Sequence, residues 1–534
     1  MINRRRRDAG GGRSHSMVTP FETWQIDKPA VRGARGVVAA QNIEAAEIGA
    51  QIIDDGGNAI DAAVATALAL AVCEPWMSGL GGGGFMVIYS AAEGRARVID
   101  FAMKSSRHLD PSAYPLAEGT AVDLFAWPAV REDRNVHGPL SIAVPGSVAG
   151  YAHAAARFGS RPFAELARPA AALAARGHRL TWWTTLNVAA EAGLLAGYDE
   201  SRRIWLAKGT PDSVDIAAEP NFLSLGGLAD TLDRLVTAGP EDFYHGDLAR
   251  ALVADLSAAG SPIAADDLAD YAVAEVDPLA LAGPGGVRYC VPPGMTAGPT
   301  LADTLAHLTR TPNGGPPTPE DMADWAQAMI AAYRYRLTHL GHAGDLGDRA
   351  CTTHLSTADS AGNMVAMTTT LLSRFGSRVV LPGTGVVMNN GVNWFDPRPG
   401  QPNSLAAGVR PLTNMAPLLA LKDEQPWFAV GASGGRRIMP CVFQIAQLIA
   451  GHGLDLGAAM AHPRFDMSEL DHITVDSRLP AAARAALAGV APLKEVQTVA
   501  FPNRFASPQA VMRDGDGVIG AAHIDSPLNG VAAR

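Results

Sequence analysis

A threonine hydroxyl is a poor nucleophile unless a base stands beside it. An α-amino group, with a pKa of about 8, is such a base when the threonine is the first residue of a chain. The run Cys351-Thr352-Thr353-His354-Leu355-Ser356 would create that arrangement if the chain were cut before Thr352. By residue type alone the same run is an ordinary β-strand start. A second candidate is Gly431-Ala432-Ser433-Gly434-Gly435, a Gly-x-Ser-x-Gly match between a strand and a helix, which reads as a nucleophile elbow carrying Ser433. Asp466 and His472 follow in the required order but stand very close together in sequence, so Asp471 with His523 is the better pair for a triad. The same glycines have another reading, because Gly434 and Gly435 at a helix N-terminus expose backbone N–H groups as an oxyanion hole does. Motif geometry leaves the two open. A third run, Gly79 to Gly84, precedes a strand instead of following one, the reverse of a dinucleotide-binding turn. It reads as tight backbone approach in a core and argues against NAD or FAD.

The elements that must position these residues follow from periodicity. Helices are expected over Asn42 to Asp55 and Ala59 to Val72, and a hairpin over Phe85 to Tyr89 and Ala96 to Phe101. From Gly146 to Glu320 the pattern is mainly helical, with Arg161 to Arg176 and Leu248 to Ala259 as examples, and a further helix runs over Met322 to Leu340. The polar stretch Gly341 to Arg349 marks a boundary. Beyond it strands are expected at Thr352 to Ala358, Met364 to Thr370 and Gly385 to Asn389, and a hairpin at Leu418 to Leu421 and Trp427 to Val430. A helix over Arg437 to Ala450 closes the unit. Strands sandwiched by helices is the architecture this order predicts.

Composition excludes several functions. Forty-three basic residues against 53 acidic give a net charge of −10, which offers no footprint for nucleic acid. Cys73, Cys290, Cys351 and Cys441 lie far apart and the histidines are scattered, so no metal, cofactor or disulfide framework is expected. The most apolar run, Ala59 to Val72, is too short and interrupted to cross a bilayer, and no membrane association is expected. Arg4 to Arg7 raise the question of export, but Gly, Arg, Ser and His follow where an apolar stretch would stand. The start is read as a disordered basic tail and the location as cytoplasmic.

Six segments together resemble the γ-glutamyltranspeptidase family of N-terminal nucleophile hydrolases. They are Gly56-Gly57-Asn58-Ala59-Ile60-Asp61-Ala62-Ala63, Gly81-Gly82-Gly83-Gly84-Phe85-Met86, Val144-Pro145-Gly146-Ser147, Thr352-Thr353-His354-Leu355-Ser356, Arg410-Pro411-Leu412 and Gly434-Gly435, in the family's order. The resemblance implies an α+β fold, a four-layer αββα sandwich of the N-terminal nucleophile hydrolase type with an added helical region. It implies self-cleavage between Cys351 and Thr352, with 1–30 a tail, 31–351 a large subunit and 352–534 a small subunit that stays bound to it as a heterodimer. It makes Thr352 nucleophile and, through its freed amine, base. Thr370 becomes its hydrogen-bonding partner, and Gly434 and Gly435 the oxyanion donors, in an enzyme that transfers the acyl group of a small amide to water or an amine.

The substrate positions depart from the family pattern. Where members that bind a γ-glutamyl group have a carboxylate-clamping arginine after the Asp-Phe pair, this chain has Ala102 after Asp100-Phe101. Leu372 stands for an asparagine, Asn389-Asn390-Gly391-Val392-Asn393-Trp394 replaces Asn-Asn-Gln-x-x-Asp, and Thr413 and Asn414 replace paired serines. Losing a bidentate arginine argues against glutamate as the acyl group. Lys104 or Arg374 is the expected replacement cation, with Leu372 and Trp394 as apolar surface. The segment Phe395 to Arg410 is shorter than in members carrying a lid there, which leaves room for larger acyl groups. A true γ-glutamyltransferase or glutathione hydrolase, a serine hydrolase built on Ser433 and a non-catalytic binding protein on the same scaffold are the competing expectations.

Overall fold

A computed structural model describes residues 26–534 apart from 122–124, 126, 216, 218, 219, 313, 344–352 and 525. Two seven-stranded antiparallel sheets form its centre. The first runs in the order Gly530–Ala533, Gly36–Ala40, Thr353–Asp359, Met364–Thr370, Gly83–Ser90, Arg95–Phe101, Ala274–Val276. The second runs Val31–Gly33, Gly517–Ala522, Ser507–Asp514, Gln425–Ser433, Leu418–Lys422, Arg288–Val291, Leu279–Ala282. Strand alternation sends one side-chain row of each sheet inward. Val37, Val87 and Val98 of the first sheet therefore meet Leu419, Ala429 and Val511 of the second in one buried cluster. The outer rows pack on helices in two further clusters. Helix, sheet, sheet and helix make the expected αββα sandwich.

The helix Ala59–Cys73 shows why the first sheet is covered so closely. Every residue in it is buried, and its alanines let the backbone approach the sheet. Asn58 caps its start by accepting from Ile60 and Asp61 N–H, while Asp61 returns a bond to the Asn58 N–H. The helix Ile43–Asp54 packs beside it, capped by Asn42.

Strands from both sides of position 352 pair with one another in each sheet, so a cut there would leave two fragments sharing one hydrogen-bonded fold. The added helical region is present, with helices such as Ser147–Phe158, Phe163–Arg176 and Asp247–Ala259, but it also supplies the edge strands Ala274–Val276 and Leu279–Ala282 and the strand Arg288–Val291 beside the latter. The expected strand over Gly385 to Asn389 does not form. Leu381 N–H bonds to Val386 O and Gly385 N–H to Leu381 O, so a local turn uses the groups a ladder would need, and only single bridges remain at Val387 and Met388. The expected tail boundary at residue 30 falls within described chain, where Lys28 Nζ donates to Asn529 O at 2.9 Å. No helix among the described residues is long and apolar enough to cross a membrane.

Candidate active site

Cys351 and Thr352 lie outside the described residues; Thr353, one peptide bond further on, opens an inner strand of the first sheet. Its register pairs Thr353 with Thr369 and His354 with Thr368 on the neighbouring strand Met364–Thr370. Adjacent strand residues face opposite ways. Thr353 and Thr369 are directed to the helical layer: Thr353 Oγ1 donates to Glu74 Oε2 at 3.4 Å, and Thr369 Oγ1 lies 2.7 Å from the Tyr151 hydroxyl. His354 and Thr368 face the second sheet instead. The imidazole bonds to Thr368 Oγ1 and Ser356 Oγ, both at 2.9 Å, and presses on Gly431, where a β-carbon would lie 2.3 Å from the ring. Burial pushes His354 down to about 3, so it is neutral at pH 7 and acts as a spacer between the sheets.

Thr370 ends its strand and accepts the Leu372 N–H at 2.7 Å. That bond accompanies a left-handed backbone at Leu372, φ 81°, which turns the chain out of the sheet. Opposite, the strand Gln425–Ser433 of the second sheet runs into Gly434 (φ 143°, ψ 23°), then Gly435 (φ 65°), and the helix Ile438–Ala450. Ser433 Oγ accepts from Gln41 Nε2. Arg437 folds back so that its Nε donates to Gly434 O at 3.1 Å and its Nη1 to Asn503 O at 2.9 Å.

A cleft of about 690 Å³ opens beside this loop, with Leu372, Arg374, Glu191, Ser433, Gly434, Arg437 and Phe501 in its wall. Glu191 holds Arg378, Nη2 at 2.9 Å and Nε at 3.2 Å, and lies 3.8 Å from Arg374 Nη1. The Arg374 guanidinium stacks over Phe501, 5.6 Å from the ring centre. His137, also in the wall, is held below its usual range by burial and then by Arg378.

The structure thus brings Leu372, Arg374, Ser433 and Gly434 to one cleft, with Thr370 and Gly435 adjacent in the chain. Other expected substrate residues fall elsewhere. Lys104 pairs through its backbone with Val144 and lines a separate surface hollow with Asp270, Tyr271 and Arg410, so it is not the cleft's cation. Trp394 is fully buried with Leu372, Ala102, Met103, Phe85 and Met415, an apolar cluster at the positions where the family pattern has charged and amide groups. Thr413 and Asn414 are braced from within, as Arg336 donates to Asn414 Oδ1 at 2.8 Å and to Thr413 O at 3.3 Å. The triad residues are also placed apart. Asp471 bonds the surface His472 at 2.7 Å, while Asp466, raised to about 6 by burial, bonds Ser468 at 2.9 Å, and His523 is 1% exposed. Among the described residues, His108 with Asp266 and Asp267, and Glu469 with Asp471 and His472, are spaced to hold a cation; neither group lines the cleft. Sequence reasoning missed Glu74, Gln41, Glu191 and Phe501. Each stands far along the chain from the residue it touches, and no local motif marks it.

A threonine-initiated inner strand and a glycine-rich strand-to-helix turn, within an αββα sandwich, define the class of N-terminal nucleophile enzymes, hydrolases or transferases acting on amide bonds. The chain belongs to the gamma-glutamyltranspeptidase family, whose pattern matches residues 45–346 and 338–530. It is 32% identical over 500 residues to the acylase ACY 1 proenzyme of Pseudomonas sp. (strain SE83), covering 86% of this chain and 87% of that protein. It is 28% identical over 541 residues to the glutathione hydrolase proenzyme of Escherichia coli (strain K12), covering 91% of this chain and 90% of that one. In fold it is similar to the crystal structure of cephalosporin acylase from Bacillus halodurans, with a TM-score of 0.84, 24% identity, and 97% and 99% of the two chains covered.

Proposed function

We propose that this chain cuts itself before Thr352 and then hydrolyses or transfers a non-γ-glutamyl acyl group through an ester on Thr352. The observation that carries the acyl assignment is the packing of Ala102, Leu372 and Trp394 into one buried apolar cluster. An arginine clamp has no counterpart there, and similarity to a protein named an acylase is in keeping with it.

In the proposed reaction the Thr352 amine takes the hydroxyl proton as Oγ attacks the amide carbonyl. The N–H groups at Gly434 and Gly435 receive the oxyanion, and the departing amine takes the proton. Water or a second amine then releases the acyl group. Thr370 directly follows Thr369, the register partner of Thr353, at the end of the same strand, which supports its role beside the nucleophile. Arg374, 31% exposed in the cleft, replaces Lys104 as the candidate partner of a substrate carboxylate.

Purified protein should run as two fragments, the smaller beginning Thr-Thr-His-Leu, and Thr352→Ala should stay whole. A γ-glutamyl anilide should be a far poorer substrate by kcat/KM than aliphatic or dicarboxylic amides. Active protein that remains one chain, or a preference for γ-glutamyl compounds, would refute the respective half of the proposal.

A further inference from the structure

The layer beneath the start of the Thr353–Asp359 strand is built to exclude water. The helix Ala59–Cys73 supplies only two polar side chains apart from its terminal cysteine, and both have partners: Asp61 accepts from the Asn58 N–H in the N-terminal cap and from Ser160 and Arg161, and Thr66 Oγ1 donates to Ala62 O at 2.7 Å. Immediately after that helix comes Glu74, 6% exposed. Burial pushes its carboxyl up to about 8, opposed only by the bond from Thr353, so the group is neutral at pH 7. Its turn is stitched to the chain leaving the neighbouring strand: Leu371 N–H bonds to Met77 O at 2.9 Å and Phe375 N–H to Trp76 O at 2.7 Å. Glu74 therefore has a fixed place relative to the strand pair. Burying a carboxyl in an apolar layer is costly, and packing alone would be served by a hydrocarbon.

We propose that Glu74 is a positioning residue for self-cleavage, anchoring Thr353 and through it the backbone of the preceding residue whose hydroxyl must reach its own upstream carbonyl. The inference rests on the reading of Thr352 as nucleophile. In the cleavage a bond forms between Thr352 Oγ and the Cys351 carbonyl carbon, and the Cys351–Thr352 C–N bond breaks. The hydroxyl proton ends on the freed amine, and water then hydrolyses the ester. Glu74 gives and takes no proton in these steps. It acts on distance, and a displacement of about 1 Å at a reacting centre can cost roughly a hundredfold in rate. Thr369, held by Tyr151 in the same row, steadies the partner strand in the same way.

The test follows conversion of freshly translated full-length precursor on gels, for wild type, Glu74→Ala, Glu74→Gln, Thr353→Val and the double variant Glu74→Ala/Thr353→Val. Glu74→Ala and Thr353→Val should each slow conversion about tenfold or more, and the double variant should be no slower than either, as expected of two residues acting through one contact. Glu74→Gln should convert near the wild-type rate, because an amide reproduces the donor and acceptor of a neutral carboxyl. Multiplying losses in the double variant, or Glu74→Ala converting like wild type, would overturn the proposal. Should Glu74→Ala fail to fold, Thr353→Val keeps the volume and removes only the hydroxyl, and its conversion at the wild-type rate would overturn it equally. A wild-type precursor that never converts removes the Thr352 reading itself, a result distinct from any of these.

Discussion

Gly434 stands so close to Ala506 that a β-carbon on it would lie 2.8 Å from the Ala506 α-carbon, and its φ of 143° is one that side-chain-bearing residues rarely adopt. Backbone, not a flexible side chain, blocks the space. The loop's shape therefore depends on the missing side chain at this position.

Gly434→Ala should displace the loop and lower kcat by about a hundredfold or more, the usual cost of losing an oxyanion donor. Steady-state kinetics on processed enzyme checks this, and an unchanged kcat would remove Gly434 from the oxyanion site.

Ser433→Ala separates the two nucleophile readings. Removing the hydroxyl leaves the Gln41 amide without its buried acceptor, at about 1–3 kcal/mol of stability, while self-cleavage and acyl transfer should persist. Denaturant unfolding and mass spectrometry of the acyl-enzyme give the two readouts. An acyl group lost with Ser433→Ala but retained in Thr352→Ala would restore the elbow.

Trp394→Ala removes the fully buried one of the apolar cluster's two tryptophans and should cost about 3–5 kcal/mol by denaturant unfolding. The same variant should raise kcat/KM for bulkier acyl groups relative to small ones. Equal losses for all acyl sizes would place the acyl group elsewhere.

Glu191→Ala leaves the Arg378 guanidinium, 7% exposed, without its carboxylate, and breaking such a buried pair costs about 3–5 kcal/mol. A shift in urea midpoint with an unchanged slope is the expected signature.

Glu74 also gives the fold a pH dependence. Its folded pKa of about 8 exceeds the ordinary 4.5, so the unfolded chain ionises first and stability from this group falls as pH rises between 4.5 and 8. Below 4.5 both states are protonated, and above 8 both are ionised. Glu74→Gln should remove this slope, gaining on wild type as pH rises through the window. Parallel stability curves would show that the carboxyl is ionised in the folded protein.

The elements around the candidate site were legible in local sequence wherever one short segment supplies them. The strand start at Thr353, the Gly434-Gly435 turn and the apolar Ala59–Cys73 helix each show their type through spacing and glycine placement, and the strand Met364–Thr370 has the bounds the sequence predicts. Ala102, Leu372 and Trp394 likewise stand out in sequence as departures from the family pattern. Only the tertiary structure decided which cation reaches the cleft, because Lys104 and Arg374 are equal in charge and differ in the face their elements present. The strands Ser507–Asp514, Gly517–Ala522 and Gly530–Ala533 escaped the sequence reading because they form by pairing with distant strands, not by strong propensity of their own. Glu74 escaped for a related reason: a glutamate after a helix is unremarkable in sequence. It becomes a buried neutral acid beside Thr353 only when the sheet closes over it and removes the water that would keep it charged.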